Sequence, residues 1–279
     1  MNKTALLLEG GGLRGVFTAG VIDCFLDNDI NFDYVIGVSA GACNALAFLG
    51  KKPRYMKSIM SEKSGFDSFY GVQQMVESHK IIDLDKIFYD YTKEFGFDFD
   101  TFLNNPANWD MVVSNMKTGK AEYMHSDDVE KIKVIGKASC SLPIITNPVD
   151  IDGQLYLDGG ICDSIPIQRI LDLGYEKVVV VLTRKKGNFS STNEATKAIV
   201  KRLYSDYPLF IEAMNNRGAM YKKEVEICEK LEQEGKAIII RPTMKEISRL
   251  ESDENEISMS YFHGFTKAKE KIEDIKQWL

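Results

Sequence analysis

The stretch Tyr34-Val35-Ile36-Gly37-Val38-Ser39-Ala40-Gly41 governs the reading of everything around it. Tyr34 to Ile36 has the composition of a short buried strand, and Ala42 to Leu49 that of a helix built from small residues. Between them Gly37-Val38-Ser39-Ala40-Gly41 spells G-x-S-x-G. A strand that turns into a helix through this pattern is a nucleophile elbow. Its two glycines permit the tight path that lifts a serine hydroxyl clear of the sheet. The positive end of the following helix favours negative charge developing near Ser39. The pattern fixes only three positions, and the strand–turn–helix context gives it weight.

Directly upstream, Thr4 to Leu8 reads as a strand, followed by Glu9-Gly10-Gly11-Gly12-Leu13-Arg14-Gly15 and a helix through Leu26. Adjacent glycines at a strand end leave backbone N–H groups uncovered and aimed at an anion. Gly10, Gly12 and Gly15 also satisfy the dinucleotide fingerprint G-x-G-x-x-G. That fingerprint wants an acidic residue at the end of the second strand, whereas Asp33 precedes that strand and its end carries the serine. The oxyanion-hole reading is therefore preferred over the nucleotide one. Further along, Leu155-Tyr156-Leu157-Asp158-Gly159-Gly160 is an apolar strand ending in an aspartate, with two glycines that turn the backbone away from the carboxylate. A serine nucleophile needs a base, and a carboxylate in hydrogen-bond reach serves. Taken alone, Asp158 is as well explained as the cap of a turn.

In this order the three motifs resemble the patatin-like phospholipase family. A fourth block, Ala138-Ser139-Cys140-Ser141-Leu142-Pro143, is similar to the A-S-x-x-x-P segment of that family. The resemblance runs from about Thr4 to Leu182, and its bacterial branch extends it through Arg241-Pro242 and Ser248-Arg249-Leu250-Glu251. It implies a Ser39–Asp158 dyad, Gly11 and Gly12 amides at the oxyanion, and hydrolysis of fatty acyl esters in lipids. Ser164 departs from the pattern, standing where many members carry asparagine. Arg14 has two readings, a support of the oxyanion loop or anionic head group, and an internal salt bridge that pins the glycines.

The chain of 279 residues is 44% hydrophobic and 27% charged, which is ordinary for a globular protein. Its net charge of −6 argues against nucleic-acid binding and against purely electrostatic attachment to anionic membrane. The apolar run Thr4–Leu8 stops at Glu9, short of the ~7 residues a secretion signal requires. Five cysteines (Cys24, Cys43, Cys140, Cys162, Cys228) show no metal spacing and read as small buried thiols. The expectation is a cytoplasmic protein with no metal and no organic cofactor. Its expected partner is a lipid or acyl-ester substrate, with transient contact to a membrane surface.

Strand-like and helix-like runs alternate along the chain, the signature of an α/β fold with a central, mostly parallel sheet flanked by helices. Residues 1–183 are read as the core. Residues 184–279 are read as a peripheral helical segment with a final strand (Ala237–Ile240) and helix (Ile257–Leu279), packed on the same domain. A polar loop over 185–192 separates the two. Lys117-Thr118-Gly119-Lys120 reads as a hairpin turn. Pro208 and Gly218 are expected to interrupt the helical stretch 193–235. Its apolar stripe is read as core-facing, with a lid over the site as the rival. Phe66, Phe69, Tyr70, Tyr204, Tyr207 and Phe210 are candidate lining for an acyl channel.

Of the three histidines, His79 and His125 read as surface residues. The chain order Ser39, Asp158, His263 is that of an α/β-hydrolase triad. His263 nevertheless sits in an amphipathic helix, and the elbow follows a single β–α unit, so it is read as structural. A triad esterase and a non-catalytic lipid- or nucleotide-binding module are the rival functions.

Overall fold

The computed structural model describes residues 3–61, 82–189, 194–249 and 253–279. Strand β1 (Thr4–Leu8) lies at the centre of the sheet, and β2 (Tyr34–Val38) follows the helix Gly15–Asp27. Next come the hairpin β3 (Asn108–Asn115) and β4 (Lys120–Met124), then β5 (Val149–Ile151) and β6 (Gln154–Asp158). The last strands are β7 (Lys177–Val181) and β8 (Ala237–Ile240). The order across the sheet is β5-β6-β3-β2-β1-β7-β8, with β4 paired to β3. The pairs β1–β2, β1–β7, β2–β3 and β7–β8 are parallel, and β3–β4, β3–β6 and β5–β6 are antiparallel.

The central strands are apolar along their whole length because both faces are covered. In β1, Leu6 and Leu8 point into one apolar cluster and Ala5 and Leu7 into the other, as a period of two requires. The helices Gly15–Asp27, Ala40–Leu49, Val129–Cys140 and Glu254–Lys269 supply the first cluster. Ile167–Asp172 and the long helix Pro208–Gln233 cover the second, through Ile167, Ile170, Tyr221, Val225, Cys228 and Leu231.

The stretch from 184 onward is bound into this sheet. β8 pairs in register with β7, and the helix Glu254–Lys269 packs along Gly15–Asp27, with Tyr261 Oη donating to the buried Asp23 (2.8 Å).

Of the two expected interruptions of the helical stretch, one is corrected. The stretch breaks after Leu203 and resumes at Pro208, which opens the helix Pro208–Gln233, as expected, whereas Gly218 sits inside that helix without breaking it. Proline at a first helical position gives up an N–H that has no partner there. A single glycine costs about 1 kcal/mol, which the helix's packed face outweighs. Among the described residues, no helix is long and apolar enough to cross a membrane.

Candidate active site

The G-x-S-x-G turn leaves Ser39 at φ 54°, ψ −125°, at the mouth of the helix Ala40–Leu49. A non-glycine residue at positive φ carries strain of order 1–3 kcal/mol, and it persists only when its surroundings hold it. The Ser39 N–H donates to Ser139 Oγ (3.0 Å), and the Ser39 carbonyl accepts from Ala42 N–H (2.8 Å). Gly37 lies in β2, and Gly41 opens the helix where a Cβ would run into Leu8 O. The elbow is thus pressed against the end of β1.

The loop after β1 carries Gly10, Gly11 and Gly12, and Gly15 starts the next helix. Thr183 Oγ1 donates to Gly10 O (2.8 Å), and Thr183 N–H donates to the buried Glu9 carboxylate (2.6 Å). Gly12 has φ +58°, and a Cβ there would stand 2.8 Å from Arg249 O. That same carbonyl accepts from Leu13 N–H (3.1 Å), while Arg14 Nε donates to Ile247 O (3.0 Å). Arg14 therefore pins the loop through a backbone carbonyl, and among the described residues it makes no salt bridge. Among the described residues, none of the Gly10, Gly11 and Gly12 N–H groups donates to a protein acceptor.

Asp158 ends β6, and Gly159 and Gly160 form the turn behind it. Its N–H donates to Ser141 O (2.7 Å), and its Oδ1 accepts from Gly160 N–H (2.8 Å). Oδ1 thus does the turn-capping work, while Oδ2 is buried and, among the described residues, has no hydrogen-bond partner. Burial raises the pKa of Asp158. Interaction with the Ser39 hydroxyl, the charges of Arg217 and Arg249, and the Gly160 N–H pull it back down. The serine and the carboxylate are near enough to influence each other but stand short of a formed hydrogen bond, as such pairs often do without substrate.

Ser39, Asp158, Gly10, Gly11, Gly12 and Gly160 open onto one cavity of about 450 Å³. Its apolar wall comes from Met56, Ile59 and Met60 on the helix Tyr55–Ser61, from Ile82, Leu84 and Ile87, and from Leu142 to Ile145. Tyr204, Tyr207 and Phe210 do not line it. They pack in a separate cluster with Met116, Leu157 and Ile161, Tyr204 and Tyr207 from the turn between the helices Glu194–Leu203 and Pro208–Gln233 and Phe210 from the start of the second. Phe66, Phe69, Tyr70, His79, Leu250, Glu251 and residues 190–192 of the polar loop lie outside the described residues.

His263 is elsewhere. Its Nε2 pairs with Thr243 Oγ1 (3.1 Å) and its ring meets Phe17 edge-on, in a different pocket with Arg14 and Thr183. Burial lowers its pKa. Asp33 accepts from Thr4 N–H (2.7 Å) and serves the end of β1. Cys43 and Cys140 line the cavity as free thiols with sulfurs 3.6 Å apart. Among the described residues, no three His, Cys, Asp or Glu side chains gather to hold a metal ion.

Two groups carry no motif of their own. Arg217, midway along the helix Pro208–Gln233, donates its Nε to Gly160 O (2.5 Å), an oxygen that also accepts from Ser164 Oγ (2.6 Å). Arg249 reaches the cavity from the loop after β8. Sequence reading noted Arg249 only within a longer block and left Arg217 among the basic residues of a helix.

An α/β sheet with a serine elbow, a glycine loop and a buried carboxylate around one cavity defines a hydrolase-like class of fold. Residues 6–171 match the family model for patatin-like phospholipases, and the chain belongs to that family. Residues 207–279 match a second model, a domain of unknown function, DUF6363. The Escherichia coli K12 protein named "Uncharacterized protein YjjU" is 31% identical over 65% of this chain and 52% of its own length. A lysophospholipase, NTE1 of Scheffersomyces stipitis, is 24% identical over 64% of this chain and 12% of its own length. The chain thus spans about half the length of the first of these relatives and much less of the second. The crystal structure of VipD from Legionella pneumophila superposes with a TM-score of 0.53 at 16% identity, over 98% of this chain and 67% of that one. It has the same mostly parallel sheet with flanking helices.

Proposed function

We propose that the chain is a serine acyl hydrolase acting on fatty acyl esters. The supporting observation is one cavity onto which a strained Ser39 opens together with Asp158 Oδ2 and the N–H groups of Gly10 to Gly12, both without partners among the described residues. Ser39 Oγ attacks the ester carbonyl carbon as its proton passes to Asp158. The Gly11 and Gly12 amides hold the oxyanion, each key donor being worth about 3–4 kcal/mol. The tetrahedral adduct collapses and the alcohol leaves with the proton from Asp158. Water then gives its proton to Asp158 and attacks the acyl-serine, and as the acyl–Oγ bond breaks Asp158 returns that proton to Ser39 Oγ, which releases the fatty acid and restores the free serine and carboxylate. The apolar wall from Met56 to Ile87 suits an acyl chain, with each buried methylene adding up to ~0.8 kcal/mol.

Asp158 must be ionised to act as base. Because burial raises its pKa, activity should fall away on the acid side above the ordinary carboxylate value. Exposed Ile144, Ile199, Leu203 and Leu209 support transient contact with a lipid surface.

The test is a fluorophosphonate probe together with p-nitrophenyl esters of two to eight carbons. The wild type should label and show kcat/KM rising with chain length, and Ser39→Ala should do neither while keeping its circular dichroism. Turnover retained in folded Ser39→Ala removes the mechanism. A flat chain-length profile removes the lipid and leaves an esterase.

A further inference from the structure

The cavity carries an imbalance of charge. Among the described residues, five ionic side chains line it: the carboxylates of Glu9 and Asp158, and the guanidinium groups of Arg184, Arg217 and Arg249. Glu9 and Arg184 balance each other. Glu9 accepts from Thr183 N–H and feels the Arg184 charge, and Arg184 lies over the Tyr221 ring at 4.9 Å. Among the described residues, Asp158 is then left as the one anion for two arginines, and it forms an ion pair with neither.

Arg217 and Arg249 are therefore undercompensated. Among the described residues, no carboxylate oxygen lies within 4.0 Å of either guanidinium. Arg217 spends its Nε on Gly160 O and keeps its other N–H groups. The Arg249 guanidinium makes no hydrogen bond among the described residues, although its backbone carbonyl is engaged with Leu13. Burial and the neighbouring charges of Arg217, Arg184 and Arg14 bring its pKa down to about 10. Like charges gathered in a partly desolvated cleft are costly, and such an arrangement marks a place where a ligand supplies the missing charge.

The geometry narrows the anion. Each guanidinium is a planar fork of donors suited to two oxygens. A carboxylate offers its acceptor sites in one plane, whereas a phosphate presents oxygens at tetrahedral angles and is the better match for two guanidinium groups arriving from different elements. The placement narrows the rest. Arg217 is bonded to Gly160, two residues beyond Asp158, and in the reaction above Asp158 returns its proton to the leaving alcohol. The charged end of the substrate therefore belongs on the alcohol side, away from the acyl chain.

Resting on the hydrolase reading, we propose that Arg217 and Arg249 form a phosphate-binding subsite. The ester cleaved at Ser39 then carries a phosphate on its alcohol portion. Both arginines lie in the stretch matched by the domain of unknown function, residues 207–279, which gains a role as the part of the chain that selects the head group.

The test compares a 1-acylglycerol with the 1-acylglycerol 3-phosphate of the same chain, read as the ratio of their kcat/KM values. The wild type should favour the phosphate by about 30-fold or more, the scale of one or two charge-assisted hydrogen bonds. Arg249→Met should bring the ratio close to one, with Arg249→Lys in between, and Arg217→Met should lower it as well. A ratio near one in the wild type overturns the proposal. So does an equal loss on both esters in the variants with the acid limb moved to higher pH, since the arginines would then only tune Asp158. Calorimetric titration separates the sources of phosphate. Glycerol 3-phosphate should bind the wild type more tightly than inorganic phosphate and bind Arg249→Met weakly. Inorganic phosphate binding as well, with no ester preference, makes this a free-phosphate site and overturns the head-group assignment. If neither ester is cleaved and the fluorophosphonate does not label Ser39, the hydrolase reading fails. The glycerol 3-phosphate titration still decides the subsite.

Discussion

Residues 6–171 and residues 207–279 meet at the same cavity and bring different kinds of atoms to it. The first stretch brings a hydroxyl and a carboxylate, each set by an unusual backbone: a positive φ at Ser39, and a strand-end turn at Asp158. The second brings charge and carbonyl oxygens from ordinary backbone, Arg217 on a regular helix and Ile247 and Arg249 on a loop. A group that needs a special backbone leaves glycines around it in the sequence. A group that needs only a long side chain at the right height on a helix leaves nothing.

The largest effect tests whether the first stretch alone holds the chemistry. Asp158→Asn keeps the shape and the Gly160 bond but removes the base. Turnover should fall by about 10⁴-fold, the scale seen when the carboxylate of a serine site becomes an amide. Stability should move the other way. The folded pKa of Asp158 lies above its unfolded value, so its stabilising contribution is complete below the unfolded pKa and is lost as pH rises through the folded one. The ionised, buried carboxylate thus costs stability at neutral pH. The asparagine variant should show a higher Tm at pH 8, with the gap closing toward pH 4. An unchanged or lower Tm at pH 8 contradicts that account.

Gly12→Ala comes next and strikes the seam between the stretches. The new methyl would face Arg249 O at 2.8 Å from a backbone at φ +58°, so the loop must shift. Loss of an aligned oxyanion donor lowers kcat by about 10²–10³-fold. Steady-state kinetics on a short ester gives the answer, and a kcat within a few-fold of wild type would separate the loop from the Ile247–Arg249 contact.

The smallest effect is on stability and lies farther from Ser39. Glu224 of the long helix shares a hydrogen bond with Asp163 and accepts from Ile165 N–H (3.0 Å). Burial and the neighbouring Asp163 push its pKa up to about 9. The sign is that of a raised pKa: the shared proton stabilises the fold in full below the ordinary carboxylate value. That contribution drains away as pH rises through about 9. Glu224→Gln keeps a donor for Asp163 without a titrating proton. Denaturant melts at pH 7 and 10 should show the variant losing about 1 kcal/mol less than the wild type. Parallel losses would mean the pair does not hold the stretches together.

The strand–elbow–helix reading and the parallel sheet are legible because both rest on local chemistry: β-branched and aliphatic runs, and glycines where the chain turns sharply. The short strand β5 is not, since three residues, one of them Asp150, carry too little pattern. Tyr204 and Phe210 show why an aromatic stripe does not reveal a channel. Periodicity says that one face is buried and leaves open what lies across from it, here Met116 and Leu157 rather than the cavity. Arg217 was invisible for the converse reason, being one basic residue among several on its helix. The grouping of Ser39, Asp158 and the glycine loop was readable as three motifs, and their meeting at one cavity depends on strand order, which no local pattern states.

Ser139 and Ser141 stand two residues apart at the end of the helix Val129–Cys140, and they hold different partners. One accepts from the Ser39 amide and the other from the Asp158 amide. Any small displacement of that helix end is handed to both residues at once, as a common-mode movement. The absolute position of the pair can drift with the breathing of the molecule while their spacing is largely preserved. Tolerance of that sort matters at a serine and carboxylate whose useful separation is set to within a few tenths of an ångström.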